Sequence, residues 1–83
     1  MQMTIEQPIL VTGATGFIGS HLVASLLKQD YKLKAIVLPD ESIKADWKDS
    51  VEIFHGDIAD YALVARALKG VKTVFHLAAL VQD

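Results

Sequence analysis

The apolar positions of this chain fall into four short dense runs, with longer periodic segments between them. Residues 8–12 (Pro-Ile-Leu-Val-Thr) are β-branched and apolar without alternation, the pattern of a strand buried on both faces. From about residue 17 to residue 29, Ile18, Leu22 and Leu26, with Val23 and Leu27 beside them, recur at helical spacing. Asp30-Tyr31-Lys32 breaks that period, and residues 33–38 (Leu-Lys-Ala-Ile-Val-Leu) form a second strand-like run. Pro39 ends it, because proline cannot donate to a central ladder. The polar residues 39–50 predict a loop with one short helical turn around residues 43–47, and residues 51–55 predict a third strand stopped by Gly56. Asp60 stands at the N-cap of a helix over residues 61–69, whose apolar face is Leu63, Val64, Ala67 and Leu68. Gly70 occupies the left-handed position that closes such a helix. Residues 73–77 predict the fourth strand, trailing into residues 78–81.

Strands alternating with helices at this spacing argue for βαβ units, a parallel sheet and the α/β class. Right-handed crossovers then give a four-strand order of 3-2-1-4, with the chain passing from the first strand to the fourth. There is no internal repeat and no low-complexity tract.

Composition narrows the class of partner. At 83 residues the chain has room for one small domain, residues 1–83. Size scaling lets such a chain bury only about 63% of its unfolded surface, which is marginal for independent folding. A hydrophobic content of 52% with 22% charged residues excludes disorder. With no cysteine and three scattered histidines, neither disulfide nor metal staples are expected. His55 and His76, at the ends of strands, lack a third ligand, and His21 reads as a partly exposed helical residue. A net charge of −2 gives no reason for a nucleic-acid partner. No apolar run reaches the ~18–20 residues that span a bilayer, and the polar start lacks a signal pattern. The expectation is a cytoplasmic protein without membrane association.

The informative segment is Thr12-Gly13-Ala14-Thr15-Gly16-Phe17-Ile18-Gly19, which leaves the first strand and opens the first helix. That context is what gives a glycine pattern meaning. Gly13 suits a tight turn off the strand, Gly16 lets backbone approach a pyrophosphate, and Gly19 permits close packing one turn into the helix. Free N–H groups and the helix dipole would then face the phosphates. The competing reading is a strand-to-helix turn that needs small residues for geometry alone. The hydroxyls of Thr12 and Thr15 either tie the turn together or donate to a phosphate. Trp47, in the polar stretch, covers the sheet or the core, with stacking on an adenine as the alternative.

This motif, with Gly-x-x-Gly-x-x-Gly spacing, resembles that of the extended short-chain dehydrogenase/reductase superfamily, which includes NAD-dependent epimerases and dehydratases. Two further segments match in order. Gly56-Asp57-Ile58 is similar to the family's segment after the third strand, where the Asp accepts from the adenine amino group and the next amide contacts the ring. His76-Leu77-Ala78-Ala79 is similar to the end of the fourth strand, whose backbone passes beneath the ribose and nicotinamide. The resemblance covers essentially the whole chain. It implies a partial NAD(P)-binding Rossmann fold in which Gly13, Thr15, Gly16, Phe17, Ile18 and Gly19 surround the pyrophosphate, Asp57 and Ile58 hold adenine, and Leu77, Ala78 and Ala79 pass under the ribose.

Two departures qualify it. A carboxylate at the end of the second strand normally selects NAD, and an Arg there selects NADP. Here Val37 and Leu38 supply neither, while Asp40 or Glu41 would reach the ribose if the loop folds back and Lys44 would serve a phosphate. The balance tilts toward NAD. The family's Tyr-x-x-x-Lys pair, a general acid/base with its activating lysine, is also absent: Tyr31 is followed four residues on by Ala35, and Tyr61 by Ala65. The reading is therefore a truncated dinucleotide-binding domain of an epimerase, dehydratase or reductase, with no catalytic residue and no turnover of its own.

Two readings from other classes stand beside it. One is a non-enzymatic structural or self-associating fragment that binds no cofactor, and the other is a redox-sensing regulator. A fourth strand left at the sheet edge also predicts a homodimer formed through that edge.

Overall fold

The computed structural model describes residues 4–43, 47 and 49–77. Its elements run β1 (Ile9–Thr12), α1 (Phe17–Lys28), β2 (Leu33–Val37), β3 (Val51–His55), α2 (Tyr61–Leu68) and β4 (Thr73–His76). The strands form one parallel sheet in the order β3-β2-β1-β4, as the pattern predicts. Boundaries agree with the sequence reading to within a residue. The expected helical turn at residues 43–47 falls largely outside the described residues.

All four residues of β1 are buried, which is why its sequence shows no alternation. In register, Ile9 lies opposite Leu33 on one side and Thr73 on the other. Its side chains serve two separate layers. Ile9 and Val11 join Leu33, Ala35, Val37 and Val51 beneath α1, where Val23 and Leu26 complete the layer. Leu10 and Ile36 face the other way, against Leu63 and Ala67 of α2. Each fully buried aliphatic side chain of this kind contributes roughly 1.5–3 kcal/mol.

The ends of α2 are those its sequence predicts. Asp60 accepts from the Leu63 N–H at 3.2 Å, the expected N-cap, and Gly70 adopts φ +77° after α2. At the C-terminal end of α2, Lys34 reaches up from β2, and its Nζ donates to the carbonyls of Lys69 (2.8 Å) and Ala67 (3.2 Å). Trp47 is 1% exposed in the α1-side core, so its ring covers the sheet rather than a ligand.

Two apolar positions depart from their helical faces. Ile18 is 63% exposed, because the first turn of α1 rests on the turn that precedes it and not on the sheet. Leu68 is 41% exposed at the last turn of α2, beside an equally uncovered Val74 of β4.

Candidate functional site

The C-terminal ends of parallel strands are where open α/β sheets bind ligands, and here they converge on a cleft of about 450 Å³. Segments after all four strands build it. The β1–α1 turn contributes Gly13, Thr15 and Gly16, the segment after β2 contributes Leu38 and Glu41, the segment after β3 contributes Asp57 and Ile58, and Leu77 follows β4. Six of the residues expected from the sequence are therefore together. Ala78 and Ala79 lie outside the described residues, as does Lys44.

The glycine turn has two sides. Gly13 holds φ +73°, and its carbonyl accepts from the Gly16 N–H at 3.1 Å, so the chain reverses tightly off β1. Behind the turn, Gly19 is buried against it. A Cβ there would run into the Gly13 carbonyl oxygen, with Gly13 C at 2.8 Å and the Ala14 Cα at 2.9 Å. In front, Gly16 faces the cleft with φ −71° and ψ 174°, a conformation open to any residue. A Cβ on Gly16 would meet only the Gly13 carbonyl, at an ordinary 3.4 Å. The protein's own packing thus demands glycine at position 19 and does not demand it at position 16.

The start of α1 is correspondingly bare. Gly16 caps it without a side chain, and its first turn holds no acidic residue. The N–H groups of Phe17, Ile18 and Gly19 have no acceptor among the described residues. Such a helix start carries partial positive charge and open donors, the combination that receives an anion. The Phe17 side chain is 81% exposed, and its ring meets that of His21 edge-on at 4.7 Å.

The threonines separate into distinct roles. Thr12 Oγ1 accepts from the Leu77 N–H at 3.1 Å and lies 2.7 Å from His76 Nδ1, tying the ends of β1 and β4 together. Thr15 Oγ1 instead donates across the cleft to Glu41 Oε1 at 2.8 Å. Asp57 Oδ1 accepts from the Ala59 N–H at 2.9 Å, and its carbonyl accepts from the Asp60 N–H, so the residue shapes its own turn while its side chain stays exposed. Sequence reasoning did not assign Ile36 and Gly56 to the cleft wall. A strand position and a stop glycine carry no pattern that would single them out.

A parallel 3-2-1-4 sheet with this turn between β1 and α1 is the NAD(P)-binding Rossmann fold, and the comparisons with known proteins agree. The sequence profile of the NAD dependent epimerase/dehydratase family matches residues 9–83. The chain belongs to that family. It is 34% identical over 74 residues, 89% of its length, to a 3 beta-hydroxysteroid dehydrogenase/Delta 5-->4-isomerase of Mycobacterium tuberculosis, and spans 20% of that protein. It is 33% identical to a UDP-glucose 4-epimerase of Rickettsia bellii over 96% of its own length and 26% of the relative's. Among solved structures, the Bordetella bronchiseptica enzyme WbmH in complex with NAD+ superposes with a TM-score of 0.72 at 32% identity, over 90% of this chain and 27% of that one. The chain thus spans about a quarter of the length of the relatives it matches.

Proposed function

We propose that this chain binds the adenosine and pyrophosphate half of a nicotinamide dinucleotide. The observation that carries the proposal is Gly16. Nothing in the protein's own packing excludes a side chain there, so its smallness is explained by a ligand that comes against the backbone. The three open N–H groups of α1 supply the donors for a pyrophosphate, and the dipole of a twelve-residue helix favours its charge. Gly13, Thr15, Phe17 and Ile18 would stand around the phosphates, with Gly19 supporting the turn from behind. Asp57 and Ile58 would hold the adenine, and Leu77, with Ala78 and Ala79, would pass beneath the ribose.

When bound, the dinucleotide supplies a hydride donor or acceptor at its nicotinamide ring. This chain's own contribution is to bind and orient, because its two tyrosines lack the lysine four residues on that the family's acid/base chemistry uses. Proton transfer and substrate recognition would fall to residues outside this sequence, in an oxidoreductase, epimerase or dehydratase. A cytoplasmic location belongs to the same proposal, on the cofactor's account alone. A homodimer through the β4 edge is a separable part of it, supported by the edge's having no partner strand among the described residues.

A thermal melt with and without millimolar NAD, NADP and their reduced forms tests the binding. A ligand of the folded state raises the midpoint in proportion to RT ln(1 + [L]/Kd). A cooperative melt that no dinucleotide shifts would sink the reading and favour the cofactor-free structural fragment.

A further inference from the structure

Gly56 leaves β3 at the cleft wall, and the first turn of α2 packs against it from behind. A Cβ added at Gly56 would stand 2.5 Å from Leu63 Cδ2, with Leu63 Cγ at 3.5 Å. The glycine is held from the sheet side as well, because its N–H donates to the Val37 carbonyl at 2.9 Å. Leu63 has little room to withdraw. It is 4% exposed and lies in the layer with Leu10, Ile36 and Ala67. The same residue holds the far end of the segment through its backbone. Its N–H donates to Asp60 Oδ1 at 3.2 Å, and the Asp60 N–H donates in turn to the Asp57 carbonyl at 2.9 Å. Asp57 and Ile58, which line the cleft, are thus strung between two points on Leu63: its side chain behind Gly56 and its N–H at Asp60.

We propose that Leu63 is a positioning residue for the dinucleotide, acting through Gly56 to set where residues 57 and 58 stand in the cleft. The inference rests on the dinucleotide reading above, in which Asp57 and Ile58 hold the adenine. Leu63 does not itself line the cleft, so its effect on a ligand passes entirely through the segment in front of it. The hydrogen bonds fix the ends of that segment, and the apolar contact at Gly56 fixes its depth. Close-packed interiors pass such a displacement on instead of absorbing it. A small displacement is enough, because hydrogen bonds to a ligand keep their strength only over a narrow range of distance and angle. A side chain at position 56 pushes the segment away from α2, and a shorter side chain at position 63 lets it fall back.

The test matches a bump to a hole. NAD is titrated calorimetrically into the wild type, Gly56→Ala, Leu63→Val and the double variant, and urea unfolding of each gives the stability separately. Valine removes the Cδ methyls that a Cβ at position 56 would meet, while keeping a branched apolar body in the layer. Gly56→Ala is expected to lose at least about tenfold in NAD affinity, and Leu63→Val at least about threefold. The double variant, in which the new methyl stands in for the lost ones, should bind more tightly than either single variant and within about twofold of the wild type. Independent sites would instead add their losses. A merely structural contact would move the urea midpoint and leave the NAD affinity of the folded protein unchanged in all three variants, which would overturn the proposal. A double variant that binds no more tightly than Leu63→Val would overturn it too, and that comparison holds even if Gly56→Ala alone fails to fold. A wild type that binds no dinucleotide would remove the dinucleotide reading and this inference with it.

Discussion

Gly19 lies so close against the Gly13 carbonyl that no side chain of any size fits between them. The contact joins α1 to the end of β1 through backbone on both sides, so no rotamer change can relieve it. Alanine in a helix interior is ordinarily better than glycine by about 0.5–1 kcal/mol. Here the sign reverses. Gly19→Ala is expected to destabilise the fold by about 3 kcal/mol, read as a lower midpoint in urea at unchanged slope. A neutral or stabilising alanine would show that α1 does not approach the turn this closely.

Gly16, three residues earlier, gives the opposite expectation. Its backbone is extended and its Cβ direction opens on the cleft, so Gly16→Ala keeps the urea midpoint within about 1 kcal/mol of wild type. Dinucleotide affinity, in contrast, falls by at least about tenfold in the same variant. Calorimetry beside the melt separates the two quantities. Equal losses of stability and binding would mean the glycine serves the turn alone.

How much of this was legible beforehand differs by kind of contact. Strand order followed from burial pattern and crossover handedness, because β1 must be apolar on both faces and the helices must cover both. The cleft segments after β1 and β3 followed from glycines placed just after strands, and the one after β4 from its resemblance to the family's fourth-strand end. What the sequence could not supply was which side chain crosses a gap. Asp40 and Glu41 are equivalent as sequence, and only the turn that brings the Glu41 N–H to the Leu38 carbonyl separates them. Thr15 likewise had two possible roles until Glu41 stood 2.8 Å away. The exposure of Ile18 was hidden for a related reason: periodicity describes a helix face, and says nothing about where the sheet beneath it ends.

Lys34 is a second case of a long-range partner invisible to local pattern. It sits in a central strand, opposite Leu10, where a charge reads as a fault in an apolar run. The structure gives it two carbonyls at the end of α2, with its ammonium also 5.8 Å from the centroid of the Phe54 ring. Lys34→Met keeps the apolar stem and removes the donors, leaving the Ala67 and Lys69 carbonyls without that partner. The expected cost is about 1–2 kcal/mol in urea unfolding, as for charge-assisted bonds at a half-buried site. An unchanged midpoint would show that solvent replaces the ammonium at no cost.

The β4 edge makes the last prediction. β4 pairs with β1 on one side and has no strand on its other side among the described residues. Its Val74 is 46% exposed, next to Leu68 at 41% and Ile58 at 38% on the α2 side. An unpaired edge of this kind templates another strand, and charges such as lysine are how natural edges avoid it. A two-fold arrangement sets β4 antiparallel to its copy, satisfying both edges with the same patch. Light scattering at micromolar concentration should therefore give about twice the 9.1 kDa chain mass. Val74→Lys, which places a charge beside the exposed α2-side groove without touching the buried layers, should return the monomer while the chain still melts cooperatively. A wild-type monomer at that concentration would remove the dimer and leave the cleft untouched, because no residue of β4, and only Leu77 just past it, joins the described lining.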